Sequence, residues 1–330
     1  MAFSSRTKSR LRIWLGGGVS LLALWLAFRN VEWGELARAL ALVRPGWLAL
    51  GILCTQLELT LAAWRWQVLL RPIGRYRLLT DCFSLFMVGY AANQIFPARP
   101  GEIIRSFLFG RKFAVSKAAV LGTAVVEKLV DVVALVLLMG LALVFIDVPM
   151  EIRLLGALCG VAAIASWGIL WLVCRREALS AWLLRGLRWT PPALQRWLEQ
   201  FLRNSIVGMG AIHDLANAFY ALALSAAVWG AGILVTQAYL MAFGLQLPWY
   251  APVFVLVVVN LGMLIPSSPA AVGVAHLLYV VSLSVFGVDK ATALAVGLVL
   301  HAISFVQVVV VGLLCFGHEN LQIKDIDDQG

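Results

Sequence analysis

Glu102 and Arg105 stand three residues apart at the start of a short apolar stretch, and Glu127 and Asp131 stand four apart within a long one. At those spacings each pair shares a helical face. Arg99 and Lys128 adjoin them, and Glu58 lies in an earlier apolar run. A charge placed in hydrocarbon costs about 2.5–3.5 kcal/mol on insertion scales, so each requires a partner or a task. Two carboxylates on one face repel unless a cation lies between them, a place that Arg99 or Arg105 can take. A guanidinium held against carboxylates can also exchange one of them for a phosphate, whose oxygens match its planar fork. The pattern points to an anion-binding set of Arg99, Arg105, Glu102 and Asn93, beside a coupling or charge network of Glu58, Glu127, Lys128 and Asp131. A salt-bridge network that only fixes a broken helix is the structural alternative, and the two roles can coexist. A half-helix starting near Gly101 would also turn its positive end toward such an anion.

Later in the chain the polar candidates are mostly uncharged: Asn260, Ser267, Ser268, His276 and His301, with Gln237 and Gln307 weaker. The two histidines could relay protons, although a histidine in an apolar helix is more often a hydrogen-bonded packing residue. There is no Gly-x-x-x-x-Gly-Lys phosphate loop, no His or Cys pair with zinc spacing and no serine in a nucleophile elbow. No metal and no cofactor are expected, and ATP-driven transport by this chain alone is excluded. The five cysteines lie within or at the ends of apolar runs and read as buried thiols.

Helices crossing a bilayer must position these groups. Of the residues, 62% are hydrophobic and 13% charged, with a mean hydropathy of +0.91, which leaves too little polar surface to cover a soluble core. Apolar stretches long enough to cross a layer of about 30 Å recur between Leu11 and Phe316, without the alternation of barrel strands. The net charge of +9 comes from basic residues dispersed at the ends of apolar runs, which argues for membrane flanks and against nucleic acid.

Those flanks predict the topology. Ile13–Phe28, behind Arg6, Lys8, Arg10 and Arg12, resembles a signal peptide but lacks a small-x-small cleavage site, so it reads as a retained first span. Spans over Gly46–Leu69, Ala118–Ile146, Leu154–Val173, Phe219–Phe243 and Ala291–Phe316 follow, with both termini cytoplasmic. Two apolar stretches are interrupted instead. Asp81–Phe96 ends in Pro97-Ala98-Arg99-Pro100 before Ile103–Gly110, and Pro252–Ile265 ends in Pro266-Ser267-Ser268-Pro269 before Ala270–Phe286. Prolines break helices and the pieces are short, so each reads as a re-entrant hairpin, the first (81–110) entered from the cytoplasm and the second (252–287) from outside. The expected fold is an all-α integral membrane protein with six full transmembrane helices and two re-entrant broken-helix hairpins. Full crossing by each limb is the alternative.

The chain also repeats itself. Phe113-Ala114-Val115-Ser116-Lys117-Ala118 after the first hairpin matches Phe286-Gly287-Val288-Asp289-Lys290-Ala291 after the second, and each break follows an Asn, Asn93 or Asn260. A single membrane domain over 1–330 is therefore read as two inverted repeats, 11–146 and 154–316, whose breaks are expected to meet. Trp33–Val43 and Ala178–Asn204 mix Arg with Trp and Leu and read as amphipathic interfacial helices, the second cytoplasmic.

The segment Pro97-Ala98-Arg99-Pro100-Gly101-Glu102-Ile103-Ile104-Arg105, followed by Glu127-Lys128-Leu129-Val130-Asp131, resembles the transmembrane, flippase-like family of lysylphosphatidylglycerol synthases, over nearly the whole chain. That family shows a Pro, then Gly-Glu and a nearby Arg, then a Glu-basic-x-x-Asp element on the next span. Pro269-Ala270-Ala271-Val272-Gly273-Val274 keeps only part of the family's second, glycine-rich break, and His301 stands where a basic residue is common. The resemblance implies a lipid translocase of the bacterial plasma membrane, handling an anionic phospholipid or polyprenyl-linked lipid. Only Gly317–Gly330 follows the last span, so the aminoacyl transferase of the best-known members is expected to be absent and the chain is expected not to be an enzyme. The competing expectation is a membrane-embedded enzyme or accessory subunit of lipid-linked glycan or lipid-modification machinery, with a glycosyltransferase or lipid-modifying enzyme as partner.

Overall fold

A computed structural model describes residues 18–96, 99–146, 214–263 and 268–319, with scattered positions between 161 and 210. The expected span at 154–173 and the amphipathic segment at 178–204 lie essentially outside the described residues. So do Pro97, Ala98, Pro266 and Ser267 within the two breaks.

Among the described residues all regular structure is helical. The first helix, α1, covers Gly18–Phe28, and a short amphipathic helix, α2, covers Trp33–Ala41. Four helices are long and apolar enough to cross a membrane: α3 (Pro45–Leu69), α6 (Lys117–Phe145), α7 (Leu215–Ala242) and α10 (Lys290–His318). Each lies within a few residues of an expected span. Between them the chain is broken where the prolines predict it. A π-helical turn, Leu78–Phe83, runs into α4 (Ser84–Ile95), which stops before α5 (Gly101–Lys112). In the second half α8 (Ala251–Gly262) is followed by a 3-10 turn, Pro269–Ala271, and by α9 (Val274–Ser284).

The two matching hexapeptides fold alike. Ala114 and Gly287 occupy the same place and both have positive φ, 52° and 73°. In each copy the next residue's amide closes a six-residue loop, Val115 to the Gly110 carbonyl at 3.0 Å and Val288 to the Leu283 carbonyl at 3.3 Å. This is the Schellman stop, which satisfies carbonyls that the helix end leaves open. The next residue then starts a long helix by capping it: Ser116 Oγ accepts from the Ala119 amide and Asp289 Oδ1 from the Thr292 amide. A stop and a start are thus written into six residues, twice.

Packing between the halves is reciprocal. The most extensive pair is α3 against α7, where the Tyr239 ring lies over Gly51. Helix α4 of the first broken pair lies along α10, and α8 of the second lies along α6. Gly312 lets α10 approach so closely that an added Cβ would meet the Met87 carbonyl at 2.9 Å. Trp66, Phe86 and Phe109 stack into one buried core between α3, α4 and α5, while Val255, Leu283, Leu294 and Val296 fill another between α8, α9 and α10.

The twin stops make a matched prediction. An alanine in the left-handed region costs about 1 kcal/mol or more relative to glycine. Ala114→Gly should therefore raise the thermal unfolding temperature of the detergent-solubilised protein, and Gly287→Ala, with no neighbour within 4 Å of the added methyl, should lower it by a similar free energy.

Candidate functional site

The first break is built from Asn93, in the last turn of α4. Its Oδ1 accepts the Gly101 amide at 2.6 Å and its Nδ2 donates to both carboxylate oxygens of Glu102 at 3.3 Å. A side chain from the preceding helix thus caps the start of α5. No larger residue fits at Gly101, because an added Cβ would meet the Asn93 amide at 2.6 Å and overlap the Gly89 carbonyl. Ser106 Oγ donates to the Glu102 carbonyl at 2.6 Å, on the same face. Leading into the helix, Arg99 has φ 51° and donates from Nη1 to the Met263 carbonyl at the end of α8, 3.2 Å away. Helix α4 also packs on the Pro269–Ala271 turn. The two breaks therefore meet.

Behind the break lies a chain of ion pairs. Arg65, on α3, grips Asp131 with both nitrogens, at 2.6 and 3.2 Å, reaches Glu127 at 3.3 Å and donates to Ser225 Oγ of α7 at 3.2 Å. Arg105, on α5, closes on the other oxygen of Glu127 at 2.5 Å. Its guanidinium lies over Trp66 at 4.8 Å and Phe86 at 5.1 Å, and Trp66 is held by a hydrogen bond to Thr123 Oγ1 at 3.1 Å. Arg65 and Arg105 are 2% exposed and Glu127 is 0% exposed. Glu102 makes the remaining pair, with Lys128 at 3.0 Å. Three cations thus meet three carboxylates across α3, α5 and α6, with α7 attached through Ser225.

Lys128 differs from the two arginines in one respect that matters for chemistry. Its side chain is 50% exposed, and it stands 11 residues into α6, about 16 Å along the axis. An ammonium so far from a helix end is expensive against hydrocarbon without a partner, and Glu102 supplies one while half of the side chain stays exposed. Asp131, at 18%, and Glu102, at 20%, are likewise partly exposed.

The sequence candidates divide accordingly. Glu102, Arg105, Glu127, Lys128, Asp131 and Asn93 come together. Arg99 does not lie between the carboxylates: that place belongs to Arg65 and Arg105, while Arg99 ties the two breaks. Glu58 makes no hydrogen bond or ion pair among the described residues and lies over Gly232 of α7, where an added Cβ would meet its Oε1 at 3.3 Å. Asn260 bonds within its own helix, to the Leu256 carbonyl at 2.9 Å. His276 and His301 pair with each other at 3.3 Å, and Ser268 donates its amide to Ser20 Oγ of α1 at 2.8 Å. Ser267 lies outside the described residues.

Arg65 was legible and overlooked. It lies inside the expected span Gly46–Leu69, where Trp66 and Val68-Leu69-Leu70 separate it from Arg71, yet it is absent from the intramembrane charges read from the sequence. Ser225, Thr123 and Phe86 carry no sequence signal of their own.

Removing one member of a buried pair strands its partner's charge at a cost of about 3–5 kcal/mol. Arg65→Ala, which leaves Asp131 and Glu127 facing each other, should abolish a monodisperse peak on size-exclusion chromatography. Lys128→Ala, at the open end, should leave that peak intact.

Comparison with known proteins places the chain in a family. A UPF0104 membrane protein of Pyrococcus horikoshii is 23% identical over 342 aligned positions, which cover 96% of this chain and 99% of the relative. The family described as the lysylphosphatidylglycerol synthase TM region matches residues 13–312, a stretch that contains both breaks and every member of the ion-pair chain. The chain belongs to that family.

Proposed function

We propose that the protein is a lipid translocase that carries an anionic phospholipid or polyprenyl-linked lipid between leaflets, by rocking one half of the fold against the other. The observation that carries this reading is the half-open Lys128–Glu102 pair, deep along α6 and beside a neutralised core of ion pairs. A phosphate displaces Glu102 from Lys128 and is met by the Arg99 side chain and Asn93 at the start of α5. Arg99 lies within the first break and touches the second, and Asn93 faces the break from the last turn of α4. Arg105 stays sealed against Glu127 in this conformation and becomes available when the halves move.

The same reading takes the chain as six transmembrane helices with two re-entrant hairpins, the halves inverted and both termini cytoplasmic in a bacterial plasma membrane. Support comes from the twin hexapeptide turns and from the reciprocal packing of α4 on α10 and α8 on α6. Broken helices whose ends meet at a repeat interface are a common way to build a carrier site. The family adds a lipid context, since its description names a lysylphosphatidylglycerol synthase.

The test is leaflet accessibility of a fluorescent anionic phospholipid in proteoliposomes. A charge-assisted contact is worth about 1.5–3 kcal/mol, so Lys128→Ala and Arg99→Ala should each slow transport about tenfold or more at unchanged protein incorporation. Transport equal to that of protein-free vesicles, or insensitive to both substitutions, would sink the reading.

A further inference from the structure

The second break is held by a directional chain of hydrogen bonds that has room for no additional proton. The Gly273 amide lies 3.3 Å from His276 Nδ1, so that nitrogen must accept. His276 then carries its proton on Nε2, which points at His301 Nδ1, 3.3 Å away. His301 Nδ1 must therefore also accept, and its own proton lies on Nε2, which donates to the Ala270 carbonyl at 2.8 Å. One amide fixes the tautomers of both imidazoles. The chain ends on a strained turn: Ala270 and Ala271 have φ 55° and 54°, and Gly273 has φ 87°. Left-handed alanines persist only where their surroundings hold them. Here the surroundings are the His301 bond to Ala270, the Ser268–Ser20 bond, and α1, whose Leu24 side chain would lie 2.8 Å from a Cβ at Gly273.

We propose that the His276–His301 pair is a proton-binding latch on the second break, and, resting on the transport reading above, that it takes up the carrier's coupling proton. A proton added to His301 Nδ1 sets an N–H against His276 Nε2–H. If His276 shifts its tautomer to accept, its Nδ1–H faces the Gly273 amide instead. A proton added directly to His276 Nδ1 meets that amide at once. Every singly protonated form opposes two donors at Gly273–His276 or at His276–His301, so one of those links opens and the start of α9 comes free of the turn or of α10, while His301 keeps its bond to the Ala270 carbonyl.

Among the described residues no carboxylate is in ion-pair contact with either imidazole, and Arg99, which reaches the second break at the Met263 carbonyl, is a cation. Among the described residues, α1 and α8 carry no charged side chain and α4 contributes Tyr90. Helix α9 adds Tyr279, with Tyr239 of α7 beyond it, and α10 adds Lys290 and His318 at its ends. Helix α2 carries Glu35 and Arg38, and α3 carries Glu58 and Arg65, the latter already held by Asp131. Neither imidazole makes an ion pair among the described residues.

Nitrogen-15 NMR of histidine-labelled full-length protein in lipid tests the latch directly, with His276→Gln and His301→Gln supplying the assignments. Both imidazoles should be Nε2–H tautomers at neutral pH, and an Nδ1–H tautomer at either would overturn the proposal. Thiol labelling of Ala271→Cys, corrected for the five native cysteines, should accelerate about fivefold as the pair takes up a proton, the effect of losing one hydrogen bond of about 1 kcal/mol. In the double variant His276→Gln/His301→Gln, in which neither side chain of the pair titrates, labelling should not respond to pH. An equal response there would overturn the latch. In proteoliposomes, lipid transport that ignores an imposed proton gradient would overturn the coupling role and leave the transport reading standing. Intact tautomers and labelling without any lipid transport would overturn the transport reading alone.

Discussion

Glu127 is fully enclosed, and a carboxylate in that position can remain charged only because Arg65 and Arg105 reach it from two different helices. That requirement fixes much else. It sets the rotation of α3, α5 and α6 about their own axes, since a helix turned by one residue would remove its member from the chain. It also explains the aromatic lining. Trp66 and Phe86 shield the Arg105 guanidinium from water and present ring faces, which attract a cation. Asp131 then extends the chain toward partly exposed charge, and Lys128 with Glu102 is its most exposed pair. The protein thus grades from sealed to accessible charge over a single turn of α6.

The short helices serve that grading. Helix α5 must begin deep enough to bring Glu102 and Arg105 to α6, and it can begin there only because Asn93 caps it from α4 and Gly101 leaves α4 room. The cost of breaking a helix in apolar surroundings, an unsatisfied amide, is thereby met by one side chain. The second break uses backbone strain and an imidazole chain for the same end. The two breaks are topologically alike and chemically different, and the proposed division of labour follows from that difference: anion contacts at the first, proton uptake at the second.

Periodicity and prolines made the four long helices, the short amphipathic α2 and both breaks legible from sequence, because these features depend on local composition. The Glu102–Arg105 and Glu127–Asp131 faces were legible for the same reason. The partner of Asp131 was not, since pairing between α3 and α6 is a matter of helix rotation and approach, which no local pattern encodes. The matching hexapeptides were visible as letters only. Their shared left-handed residue and looped amide became meaningful once Ala114 was seen in a conformation usually left to glycine.

Lys117 and Lys290 hold equivalent places in the two hexapeptides yet are used differently. Lys117 lies on the Phe107 ring, whereas Lys290 donates to the carbonyls of Leu26 and Arg29 at the end of α1. In the inverted arrangement proposed above, Lys290 is external and so works against the preference of the insertion machinery for cytoplasmic lysines. Binding the negative end of α1 gives that charge a local role as soon as the two segments meet. The carbonyl end of the first helix is thus finished by a residue more than 260 positions further along the chain, so the two extremes of the fold are tied at one point.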